Sequence, residues 1–244
     1  MANALFCGQM KETQPDPAAT HTVPLFSVDP AGIPSLLGTM VFVVGRSRKY
    51  LISARHVIED DARGLFLPTP KGLVGAIGQI IYPQFTNANG DSTSLDIAIL
   101  QLDHPDPEEL LSQFAPFLIT PDCNLLEPIV GAECRALGYP ATRSEPDFRN
   151  RRVSSVPLLI TTEVVSVQRE LQPGSFSIQF TKDRKRGPLP RYAPDPHGMS
   201  GCGIWTNGTS GQLCLLGIAI EYEKAPLNTI GCLPIRTVIP ILEK

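Results

Sequence analysis

The sequence predicts an all-β chain of sandwich or barrel architecture, two barrels side by side being one arrangement that fits. Three observations carry this expectation. The 244 residues include 24 Pro and 20 Gly, well above the average share of about 12%. The apolar runs are short and rich in Val, Ile and Thr, the residues that suit a pleated, half-buried surface. Turn dipeptides such as Asn89-Gly90, Pro173-Gly174 and Asn207-Gly208 fall between those runs, as strand connections require.

Residues 1–34 are rich in Pro, Thr and Ala and read as an extended N-terminal lead-in. Leu37–Arg46 and Lys49–Ala54 are two apolar runs joined by the charged segment Arg46-Ser47-Arg48-Lys49, the pattern of a hairpin. Further strands are expected at Leu73–Tyr82, Ile97–Leu102, Ile129–Leu137, Val156–Val167 and Phe176–Thr181. A last group covers Gly203–Thr206, Leu213–Ile220 and Thr229–Pro234. The end, Ile235–Glu243, reads as a short helix limited by Pro240. Some ten to twelve strands in roughly 210 residues is the density of a sandwich or barrel.

Composition narrows the function. With 21 Lys+Arg against 24 Asp+Glu the net charge is −3, and a dedicated nucleic-acid binder draws its affinity from a basic surface. Nucleic acid is therefore not an expected partner. The basic clusters Arg149–Arg152 and Lys182–Arg186 read as solvated loops, with a partner-binding loop as the other reading. Ala31–Gly45, the longest uncharged run, is broken by Pro34 and Gly38 and is too short to span a bilayer. The first thirty residues have no basic segment followed by an apolar one, so no export signal is expected. A soluble, cytoplasmic chain with no membrane partner is the reading. The six cysteines (Cys7, Cys123, Cys134, Cys202, Cys214 and Cys232) have no metal-site spacing and are expected as reduced, mostly buried thiols.

Three short motifs carry chemistry. Leu51-Ile52-Ser53-Ala54-Arg55-His56 is an apolar strand running into a histidine; Asp96 opens the apolar run Ile97-Ala98-Ile99-Leu100; Ser200 lies in Gly198-Met199-Ser200-Gly201. Nucleophilic catalysis by serine needs a base for its proton, an acid to fix the base's tautomer, and backbone N–H donors for the oxyanion. Glycines beside the serine permit the tight turn that aims two N–H groups at one point. No metal or cofactor is needed.

These segments resemble the chymotrypsin-like (trypsin-like) serine peptidases, and among them the intracellular microbial trypsin-like peptidase domains. Ser53-Ala54-Arg55-His56, Asp96-Ile97-Ala98-Ile99 and Gly198-Met199-Ser200-Gly201-Cys202 match the family's three motifs in the family's order, 40 and 104 residues apart. The resemblance implies a double six-stranded antiparallel β-barrel with a short C-terminal helix. The first barrel would span about 35–115 and the second about 116–244. It also implies Ser200 as nucleophile, His56 as general base and then acid, and Asp96 as the group that orients His56. The N–H groups of Gly198 and Ser200 would form the oxyanion hole. Leu216-Gly217-Ile218-Ala219-Ile220 resembles the strand that pairs with substrate, so Ile218, Ala219 and Ile220 are expected to bind it. Gly38-Thr39-Met40-Val41-Phe42 resembles the family's early first-barrel strand, and Gly231–Ile235 the strand before the terminal helix.

The sequence also departs from the family. Met199 stands where digestive relatives have an aspartate that pairs with a newly cut N-terminus, and no activation site precedes it. The oxyanion turn must then be held by packing or by a partner protein. Cys202 replaces a glycine and reads as buried filler in preference to a rival nucleophile. His197 reads as solvent-facing. Asp195 either favours a basic residue before the cut bond, by a charge-assisted hydrogen bond, or is a solvated loop charge. The expected activity is a serine endopeptidase acting on a protein or peptide, gated by an activating partner or restricted to a dedicated target. The rival is a catalytically degenerate peptidase fold that binds peptides.

Overall fold

The computed structural model describes residues 16–46, 48–59, 64–76, 78–86, 92–103, 111–119, 126–147, 152–168, 175–180, 183–184, 191–192, 195–224 and 226–243. Much of both basic clusters, Cys7, Cys123 and the expected turns Asn89-Gly90 and Pro173-Gly174 lie outside the described residues.

The first half builds β1 (Thr22–Val28), β2 (Pro34–Val44), β3 (Lys49–Ser53), β4 (Phe66–Thr69), β5 (Gly72–Gly75), β6 (Gly78–Ile81), β7 (Gln84–Thr86), β8 (Ser92–Ser94), β9 (Ala98–Leu102) and β10 (Phe117–Leu118). A one-turn helix, α1 (Arg55–Glu59), follows β3. Seven of these strands form one sheet in the order β5-β4-β1-β2-β3-β9-β6, and β10 pairs in parallel with the end of β2. β7 and β8 form a separate hairpin. β5 and β6 are neighbours in the chain yet lie at opposite ends of the sheet. Gly75 and Gly78 are three Cα steps of about 3.8 Å apart, so the sheet must roll until its edges approach. Among the described residues no pairing between β5 and β6 closes it.

The second half builds β11 (Glu133–Gly138), β12 (Ser144–Asp147), β13 (Arg152–Ser155), β14 (Leu158–Val167), β15 (Phe176–Gln179), β16 (Asp183–Arg184), β17 (Arg191–Tyr192), β18 (Gly203–Asn207), β19 (Leu213–Glu223) and β20 (Thr229–Pro234). Six of them close into a barrel, β11-β14-β15-β20-β19-β18, with β18 returning to β11. A 3-10 turn (Ile235–Thr237) and α2 (Ile239–Leu242) end the chain, with Pro240 in the first turn of α2, where its missing N–H costs nothing.

The architecture is thus broadly chymotrypsin-like, with one correction. Only the second barrel is a closed six-stranded one; the first is an open, rolled sheet of seven strands plus β10. Two further strands fall outside their expected places. Thr22–Val28, inside the expected lead-in, is the buried strand β1. Pro24 hid it, because an interior proline argues against a strand. It is tolerated here because β4 meets β1 only at Phe26↔Phe66, so among the described residues β1 has no partner on that side at Pro24. Phe117–Leu118, expected in the second barrel, belongs to the first sheet. The single run Leu73–Tyr82 divides into β5 and β6, and Ile129 and Val130 are solvent-exposed turn residues ahead of β11.

Three apolar clusters fill the molecule. One lies inside the first sheet (Leu25, Phe42, Leu51, Leu100) and one inside the closed barrel (Ile160, Phe176, Ile178, Ile204). The third joins the halves, combining Val41, Ile52 and Ile99 with Trp205, Ile218 and Leu233. Burying each such side chain is worth about 1.5–3 kcal/mol, so the seam between the halves is as firmly built as either interior.

Candidate active site

Strand register brings the histidine and the aspartate together. In the β3–β9 ladder Ser53 pairs with Ala98 and Ile52 with Ile99. The chain leaves β3 at Ser53 and turns into α1, which carries His56; it enters β9 just after Asp96. Both residues therefore lie beyond the same end of one strand pair. Leu95 and Ile97 are buried on either side of Asp96 and fix its backbone. Its carboxylate then clasps His56 twice: Oδ2 lies 2.8 Å from Nδ1, and Oδ1 accepts the His56 main-chain N–H at 3.0 Å. The two side chains are 45% and 33% exposed, so Asp96 is only partly withdrawn from water. α1 is braced by the Arg55–Glu59 ion pair at 2.7 Å, with the Arg55 guanidinium 4.8 Å from the centre of the Tyr82 ring.

Ser200 is partly buried on the turn 197–201, ahead of β18. The carbonyls from Pro196 to Ser200 are all occupied. The Pro196 and Met199 carbonyls accept the N–H groups of Met199 (2.8 Å) and Cys202 (2.9 Å), and the His197 carbonyl accepts that of Ala141 (2.7 Å). The Gly198 carbonyl accepts Thr39 Oγ1–H at 3.0 Å, and the Ser200 carbonyl accepts the Thr39 N–H at 3.0 Å. The His197 N–H donates to Asp195 Oδ1 at 3.0 Å and the Gly201 N–H to the Ala219 carbonyl at 2.8 Å. Among the described residues, the N–H groups of Gly198 and Ser200 have no acceptor. With the carbonyls of residues 197 and 198 turned into the protein, these two N–H groups remain for a ligand oxygen.

Glycine is required twice in this turn. Gly198 has φ +90° and a Cβ there would lie 2.8 Å from both the Ala141 nitrogen and the Tyr139 oxygen; Gly201 has φ +85° and a Cβ would collide with the Thr39 carbonyl and Ser53 Oγ. These left-handed values are ones that side chains resist. The same contacts show that the turn rests on the first sheet. Gly38 on β2 lies between the two parts of the site: a Cβ on it would be 2.7 Å from Val57, next to His56, and 3.1 Å from the Ser200 carbonyl.

Thr39 is the residue that sequence reasoning passed over. Its N–H and hydroxyl hold the serine turn, its Oγ1 accepts the Tyr139 N–H at 2.9 Å, and its carbonyl accepts Ser53 Oγ–H at 2.8 Å. Its place in Gly38-Thr39-Met40 was visible, but its hold on the serine turn and on Tyr139 depends on contacts 100 to 161 positions away. Met199, where an ion pair is absent, is 2% exposed in the barrel interior. The turn is held by packing and internal hydrogen bonds.

The expected substrate strand is mixed. Ile218 and Ala219 are buried, Ile218 in the seam between halves, while Ile220 is partly exposed at a bulge between the pairs Ala219↔Cys232 and Glu221↔Gly231. Only Ala219 and Ile220 of these three line the pocket beside Ser200. Asp195 is exposed, caps its own turn through the His197 N–H, and is not among the residues lining that pocket. Cys202 is fully buried and its thiol is pushed up to about 12 by desolvation, which disfavours the nucleophilic thiolate. Cys134, Cys214 and Cys232 are likewise buried thiols. Among the described residues no cluster of His, Cys, Asp or Glu is arranged to hold a metal, and no helix is long and apolar enough to cross a membrane.

No protein-family model matches the chain, and no curated protein sequence does. Its fold is nevertheless found among solved structures. The MamO protease domain from Magnetospirillum magneticum, in its apo form, superposes with a TM-score of 0.56 at 14% identity, over 93% of this chain and 98% of that one. A serine endoprotease from Yersinia pestis gives 0.53 at 18% identity, over 92% of this chain and 63% of that one. At such identities the likeness is one of fold alone.

Proposed function

We propose that the chain is a serine endopeptidase in which Ser200, His56 and Asp96 form the catalytic unit. The observation that carries this reading is the double clasp of His56 by Asp96, through Nδ1 at 2.8 Å and the main-chain N–H at 3.0 Å. An imidazole whose Nδ1–H donates to a carboxylate carries its basic lone pair on Nε2, the tautomer a general base needs. The fold shared with solved proteases supports it.

Ser200 Oγ attacks the substrate carbonyl carbon while its proton passes to His56 Nε2. The carbonyl π pair moves onto oxygen, and the N–H groups of Gly198 and Ser200 take up that charge. Collapse of the intermediate breaks the C–N bond, and the leaving nitrogen takes the proton from His56. Water then repeats the sequence on the ester, and His56 returns the proton to Ser200 Oγ. Asp96 stays ionised and stabilises the imidazolium. The substrate is a protein or peptide. Four buried thiols agree with a reducing, cytoplasmic setting, where activity confined to a dedicated target or switched by a partner would spare other proteins.

A fluorophosphonate probe tests the reading, since it labels an activated serine covalently. Labelling of the full chain that vanishes in Ser200→Ala is expected, together with a fall of about 10⁶ in turnover. A chain that binds peptides but never labels belongs to the rival class, a peptide-binding module.

A further inference from the structure

Next to Ser200 lies a pocket whose walls include Pro196, Met199, Ala219, Tyr222 and Ile230, with Glu221 at its exposed rim. Its free volume is about 10 Å³, the scale of one water molecule. The walls are apolar, with Met199 at 2% and Ile230 at 3% exposure. We infer that this site cleaves after small, uncharged residues and that Tyr222 is the side chain that sets the limit. The inference rests on the reading of Ser200 as nucleophile.

Tyr222 is built into place. It pairs with Ile230 across the β19–β20 ladder, and its hydroxyl donates to Asn228 Oδ1 at 3.2 Å. Its ring meets Phe180 edge-on, with centroids 5.2 Å apart and planes at 73°. Both partners are anchored. Phe180 is fully buried, and the Asn228 carbonyl accepts the Phe180 N–H at 2.8 Å and Gln179 Nε2–H at 3.1 Å. Asn228 itself holds φ +48°, the one described residue other than glycine in the left-handed region. To admit a large residue, Tyr222 would have to give up its hydrogen bond and its edge-on contact together.

The consequence for substrates is direct. A Phe side chain seeks to bury about 150–250 Å², far more than the pocket offers. A Lys or Arg head would have to sit among apolar walls, because the one lining carboxylate among the described residues, Glu221, is solvent-exposed and Asp195 is engaged on its own turn outside the lining. Gly and Ala need no more room than the pocket has. Since a single methylene in a tight pocket changes rates by about 10–200-fold, discrimination against Phe and Lys should be at least about 100-fold.

Peptide aryl phosphonates that differ only in the side chain before the reactive phosphorus test this on the full chain, read as second-order labelling rates beside the unsubstituted fluorophosphonate. The Ala probe is expected to label fastest, with the Phe and Lys probes below about 1% of its rate. In Tyr222→Ala the Phe-to-Ala rate ratio is expected to rise at least about tenfold. Fluorophosphonate labelling with Phe or Lys probes as fast as Ala overturns the inference and leaves Ser200 as nucleophile. No labelling by any probe overturns both. The wild-type probe series decides pocket size by itself, so the inference stays testable if Tyr222→Ala does not fold.

Discussion

Thr39 works through its N–H, its carbonyl and its hydroxyl at once, and two of these hold the serine turn. Thr39→Val keeps the shape but removes the hydroxyl. The buried Tyr139 N–H then loses its acceptor, at a cost of about 1–3 kcal/mol in stability. The Gly198 carbonyl loses its donor, so the 198–199 peptide is freer to rotate its charge-stabilising neighbour out of line. Activity should fall about 10²–10³-fold, the penalty of one lost oxyanion donor. Chemical denaturation beside fluorophosphonate labelling separates the two effects; labelling at the wild-type rate would remove Thr39 from the positioning role. The three residues proposed as the catalytic unit were legible because each sits in its own local motif. Thr39 and Tyr222 were not, because what they do is set by partners that the fold, and not the neighbouring sequence, supplies.

At the scale of elements, the N-terminal 3-10 turn (Pro17–His21) carries a histidine in an apolar setting. His21 meets Phe117 edge-on at 5.2 Å and the tilted Trp205 ring at 5.9 Å between centroids, and its Nδ1–H donates to the Ala115 carbonyl at 2.7 Å. Desolvation holds its pKa below the ordinary 6.5, outweighing the opposite effect of that hydrogen bond. The unfolded chain therefore binds the proton more readily. His21 contributes stability that is complete above pH 6.5 and is lost as pH falls from there through its folded pKa. Urea midpoints should drop between pH 7 and about 5, and His21→Phe should flatten that slope; an unchanged slope would place the acid sensitivity elsewhere. Elements themselves were legible where a largely continuous apolar run was bounded by polar or turn residues, as in β2, β3, β9 and β19. They were missed where Pro24 interrupted a strand, and misdrawn where one apolar run fed the two opposite edges of a rolled sheet.

For the whole molecule, the cluster joining the halves decides how it unfolds. Trp205, the single tryptophan, is fully buried in that seam beside Phe117, with centroids 5.1 Å apart. With the seam as well packed as either interior, the halves should unfold together. Trp205 fluorescence, blue-shifted when folded, and far-UV circular dichroism should trace one coincident transition. Two separated transitions would mean that the halves are independent units.

The sequence by itself determined the strand-rich class, the place of His56 and Asp96 at strand ends, and the glycines around Ser200. Each of these depends on residues a few positions apart, within reach of propensity, periodicity and turn chemistry. Only the tertiary structure decided that one barrel closes and the other stays open, that Asp96 grips His56 twice, that Thr39 anchors the serine turn, and that Tyr222 lines the pocket beside Ser200. Those depend on register and packing between segments distant in the chain, where an edge is paired or left open and a cavity is filled by whichever side chain the fold delivers there.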